Sequence, residues 1–139
     1  MRRFLVLALS LFPTTAPAQT YTGVYWELLA IDGQVTDSRT TLRIDADNVL
    51  AGAAPCNRWS ANNRVVLPAI ELGGIRSTRM ACDKLDEEQA FFDALSLMTA
   101  VEMNGDRNLI LTGPDGHTVE FVIDRVNSLT RCKTCKTKD

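Results

Sequence analysis

The chain has little of what most enzymes and membrane anchors require. It holds one histidine, His117, and no Gly-x-Ser-x-Gly elbow, so a serine triad lacks its nucleophile turn. It has no Walker loop and no Gly-x-Gly-x-x-Gly fingerprint, which excludes the usual phosphate cradles. It lacks an excess of positive charge: 15 basic against 17 acidic residues argue against a nucleic-acid-binding domain. Long apolar runs are missing too. The longest, Phe4 to Phe12, would rise only ~14 Å as a helix, about half a bilayer core, so no transmembrane span is expected.

What is present fits a single exported domain. A length of 139 residues with 45% hydrophobic and 23% charged residues suits one ordinary core. Arg2 and Arg3 precede the apolar run, Pro13 breaks it, and Ala16-Pro17-Ala18 supplies the small residues of a cleavage site. This reads as a signal peptide over residues 1–18, with the mature chain starting at Gln19 in the periplasm or outside the cell. No cysteine follows Ala18, so that site carries no lipoprotein anchor.

The mature chain reads as strands, one helix, then more strands. Val24 to Ile31 is rich in β-formers and ends at Asp32-Gly33; Thr40 to Asp45 alternates apolar and polar; Val49 to Ala53 follows a turn at Asp47-Asn48. Residues 54–63 look irregular. Arg64 to Pro68 and Ala69 to Ile75 read as edge strands or a bent strand pair, broken by Pro68 and Gly73-Gly74. Lys84 to about Leu97 is the helix. Asp83 is placed to cap it, Asp86, Glu87 and Glu88 read as a charged start, and Phe91, Phe92, Leu95 and Met98 form its core stripe. Thr99 to Met103, Asn108 to Thr112 and Thr118 to Ile123 form a meander joined by Asn104-Gly105 and Pro114-Asp115-Gly116. Leu111, Val119, Phe121 and Ile123 are expected to face the helix. The tail, residues 126–139, has no periodicity and a basic balance, and is expected to be solvated and free of the core.

Ala54-Ala-Pro-Cys-Asn-Arg-Trp-Ser60, followed by Ser77-Thr-Arg-Met-Ala-Cys82 and an acidic helix with paired phenylalanines, resembles the META domain, the family of the heat-shock protein HslJ. Trp26 and Leu28, the Thr41–Ile44 strand, Gly52, Glu88 and the closing strands sit where that family has such residues. Two positions depart from its pattern: Pro55 directly before Cys56-Asn57, and Ser60-Ala61 after Trp59. The resemblance implies a META domain over residues 19–125, of α+β class, a curved and mainly antiparallel sheet with one helix packed on it. It implies an envelope or heat-stress setting and no established enzymatic activity.

Four cysteines in an exported chain should be oxidised, and three connectivities are open. Cys56 with Cys82 is favoured because it joins the two family motifs, with Cys132–Cys135 as a local pair in the tail. The Cys132-Lys-Thr-Cys135 spacing also matches a thiol redox pair, but no helix follows to lower a thiol pKa. A four-cysteine zinc site does not suit an oxidising compartment, and neither metal nor cofactor is expected. His117 reads as an exposed turn residue. Asn57, Arg58 and Trp59 form a possible recognition loop if they are exposed, although Trp59 can equally pack inward with Asn57 fixing the turn. The expected partner is an envelope protein or ligand, met by a monomer. The rival readings are a thiol-redox protein and a secreted inhibitor-like binding module.

Overall fold

The computed structural model describes residues 20–126 and 131–136. The expected signal peptide lies outside the described residues. Among the described residues the chain forms β1 (Trp26–Ile31), β2 (Gln34–Val35), β3 (Thr41–Ile44), β4 (Val49–Ala53), β5 (Arg58–Asn62), β6 (Arg76–Ser77), α1 (Leu85–Ser96), β7 (Ala100–Asn104), β8 (Asn108–Thr112) and β9 (Thr118–Val122). The fold is α+β, an open antiparallel sheet in the order β6-β5-β4-β3-β1-β9-β8-β7, with β2 paired to β1.

β1 is central because it pairs with both β3 and β9. Its alternating burial puts Trp26, Leu28 and Ala30 inward, as a period-2 pattern requires. The chain runs from edge strand β6 through α1 to edge strand β7, so the helix crosses the sheet's inner face. Phe91 packs on Trp59 of β5 at 5.5 Å and on Phe121 of β9 at 6.3 Å, both edge-to-face. Leu95 and Met98 extend the stripe into the same core, whereas Phe92 is only partly buried. Leu111, Val119 and Phe121 face the helix as expected, but Ile123 lies past the end of β9 and is 41% exposed.

Several expectations need correction. α1 starts at Leu85 with Lys84 at its N-cap and no side-chain cap, so Asp83 does not serve there. β5 occupies part of the segment read as irregular, in a five-pair ladder with β4. Residues 64–75 are not a strand pair. They form a loop around the buried Asn63 side chain, which donates to the Val65 and Ala69 carbonyls and accepts the Glu71 N–H. An amide replaces ladder bonds there, which apolar patterning cannot signal. The tail is not free of the core: residues 131–136 pack on the sheet's outer face.

Candidate functional site

Two loops carry the cysteines, and each is held by a buried carboxylate. Cys56 joins Cys82 and Cys132 joins Cys135, with Cα–Cα distances of 5.7 and 5.5 Å. In the first loop, Glu88 reaches from the inward face of α1. Its carboxylate accepts the N–H groups of Cys56 and Asn57 at 2.9 Å each and the Asn57 side-chain amide at 2.6 Å. Asn57 Oδ1 in turn accepts the Met80 N–H and the Thr78 hydroxyl, tying the Cys56 motif to the Cys82 motif. A buried carboxylate is tolerated only when satisfied in this way. Glu88 therefore belongs to the core network and is not simply a charged helix start. Its place one turn before Phe91 on the apolar stripe is the signal for this.

The possible recognition loop is corrected by the same network. Asn57 and Trp59 are buried, and only Arg58 is exposed. Asn57 faces Glu88, while Trp59 lies against Phe91 with its indole N–H lacking an acceptor among the described residues. Because the disulfide and the Glu88 network reinforce each other, Cys56→Ser with Cys82→Ser should lower stability by roughly 2–4 kcal/mol, read from a denaturant melt. An unchanged midpoint would show that the hydrogen bonds alone fix the loop.

In the second loop, Glu120 is fully buried on the outer face of β9. It accepts the N–H groups of Lys133 and Thr134 at 2.7 and 2.8 Å, the Thr134 hydroxyl at 2.7 Å and the Asn108 amide at 2.6 Å. Gly33 lets this loop approach: a Cβ there would stand 2.8 Å from the Thr134 carbonyl oxygen. The alternation along β9 marks Glu120 as solvent-facing, but the docked tail and the Asn108 amide cover it.

His117 is paired, not a lone turn residue. Its Nδ1 lies 3.1 Å from Asp32, which also accepts the Thr118 N–H at 2.9 Å. That N–H, with the His117 ring and the Lys136 charge, holds Asp32 below the usual carboxylate range against the opposing desolvation. A lowered carboxylate stabilises the fold above its unfolded pKa, near 4, and this is lost as pH falls through the folded value. Asp32 is half exposed, so Asp32→Asn should narrow the acid-side stability margin by under about 0.5 kcal/mol. NMR titration checks the direction: an Asp32 midpoint above the ordinary aspartate range would contradict it.

The sheet also presents an exposed basic row. Register aligns Arg43 of β3, Ala51 of β4, Ser60 of β5 and Arg76 of β6 across four strands. At about 4.8 Å per strand, the two arginines stand roughly 14 Å apart with small residues between them. Tyr25 lies under the Arg43 guanidinium, 5.5 Å from ring centre to Cζ, and Asp45 pairs with Arg43 at 2.7 Å. Arg58 and Arg76 have no ion pair among the described residues. A cleft of about 680 Å³ is lined by Glu27, Asp37, Arg39 and Arg125 among others. Arg125 is already bound to the Leu28, Thr36 and Ser38 carbonyls, clamping the β2–β3 loop.

The META domain model matches residues 19–125. The chain belongs to the META domain family. Both the Cys56–Trp59 and Thr78–Cys82 motifs fall within the matched span, whereas the Cys132–Cys135 loop lies beyond it. Three solved structures share the fold seen here. An NMR structure of a Burkholderia xenovorans protein is 21% identical, covers 89% of this chain and 98% of its own, and has a TM-score of 0.58. A second NMR structure is 18% identical over 82% of this chain and 100% of its own, with a TM-score of 0.57. A crystal structure of a DUF4847 family protein from Bacteroides vulgatus is 8% identical, covers 77% of this chain and 96% of its own, and has a TM-score of 0.60. No curated protein matches the chain.

Proposed function

We propose that this META domain protein is exported and serves the cell envelope under stress by binding a partner, not by catalysis. The observation that carries the reading is the pairing of all four cysteines, each pair closing a loop seated on a buried carboxylate. Paired cysteines of this kind persist in oxidising compartments and are rare in reducing ones. The stress setting comes from the family resemblance to HslJ. For binding, the sheet face bearing Arg58 and Arg76, neither ion-paired among the described residues, suits an anionic partner on an otherwise acidic domain.

Cell fractionation with intact-mass measurement tests the export. The expected product is extracytoplasmic, begins at Gln19 and carries no free thiol. Recovery from the cytosol with residues 1–18 retained and the thiols reduced would overturn the reading.

A further inference from the structure

The Cys132-Lys-Thr-Cys135 loop lies outside the family span, yet the sheet has a seat for it. Glu120 supplies the acceptors, the Asn108 amide donates to the Arg131 carbonyl at 3.0 Å, and Gly33 forms a flat floor under Thr134. The N–H groups of Lys133 and Thr134 converge on one carboxylate because the chain turns tightly between them, and the disulfide holds that turn closed. Opening it returns the turn to free rotation. For so short a ring the closure advantage is roughly 20-fold. Glu120 also gains water once the loop leaves, so the docked state depends on the loop being preformed.

We propose that Cys132–Cys135 is a redox modification site, a clasp that a dithiol reductant opens to release the tail from Glu120. An incoming thiolate attacks Cys135 Sγ. The charge that develops on the leaving Cys132 Sγ lies 3.2 Å from Glu120 Oε2, and this repulsion favours departure of the loop from its seat. The S–S bond breaks and the electron pair goes to Cys132 Sγ, which accepts the Cys135 N–H at 3.1 Å. The reductant's second thiol then attacks the mixed disulfide and frees Cys135. Two electrons pass to the cysteines, the two protons of the reductant's thiols end on Cys132 and Cys135, and the reductant leaves as its own disulfide. Cys56–Cys82 outlasts this step at equilibrium, because the Glu88 and Asn57 bonds keep its two ends together after any opening.

The test equilibrates the mature full-length protein in a series of dithiol buffers, traps thiols by alkylation and follows hydrogen exchange by mass. Cys132 and Cys135 should be trapped at a less reducing poise than Cys56 and Cys82. Exchange at Lys133 and Thr134 should rise about 20-fold in step, with β4 and β5 unchanged. Cys132→Ser with Cys135→Ser should give the same release without reductant, and Glu120→Gln should give it with the disulfide intact. Tail amides that stay protected in the reduced protein or in these variants, or a Cys56–Cys82 bond that opens first, would overturn the proposal.

Discussion

Phe121→Ala should destabilise the fold by about 3–5 kcal/mol, the range for truncating a buried phenylalanine. Phe121 is fully buried, meets Phe91 edge-on at 6.3 Å and lies across from Leu28 and Leu109 on the neighbouring strands. Removing it empties the place where helix, β1 and β8 converge, and three rigid elements cannot collapse into that space together. Ile123→Ala, one turn of the pleat further on and 41% exposed, should cost under about 1 kcal/mol. A denaturant melt of both variants checks the pair. Equal effects would mean that the inward face of β9 is assigned wrongly.

Glu88→Ala should cost about 3–5 kcal/mol, unusual for a charged residue on a helix. Three donors lose their acceptor at once: the Cys56 and Asn57 N–H groups and the Asn57 amide. An unsatisfied buried donor costs about 1–3 kcal/mol, and Asn57 cannot turn to water without releasing Met80 and Thr78. The neighbouring Glu87 is exposed and meets only Lys84, so Glu87→Ala should stay within about 0.5 kcal/mol. Urea melts of the two variants separate the roles, and a Glu88→Ala midpoint matching that of Glu87→Ala would contradict them.

The parts legible in the sequence are those whose signals are local. Asn104-Gly105 and the alternation around it mark the β7–β8 hairpin, and the Phe91–Leu95–Met98 spacing marks the helix. β5 escapes such a reading because its inward side is only Trp59 and Ala61, separated by Ser60 and flanked by Arg58 and Asn62. Residues 64–75 look like strands by composition, but the Asn63 side chain takes the hydrogen bonds a ladder would make. Glu88 and Glu120 are the clearest gaps. A carboxylate on a helix or strand reads as wet, and what buries each here is a segment distant in the chain. For Glu88 the segment is the Cys56 loop, whose motif at least hints at it. For Glu120 it is a tail with no apolar pattern, where docking rests on two backbone N–H groups and a glycine floor that composition does not reveal.

Two separate loops each close on their own disulfide and sit on their own buried carboxylate. A non-reducing peptide map of the oxidised protein tests this arrangement. The map should show Cys56 linked to Cys82, Cys132 linked to Cys135, and no free thiol. A link from Cys56 or Cys82 to either tail cysteine would contradict it, since neither loop could then reach its carboxylate as described.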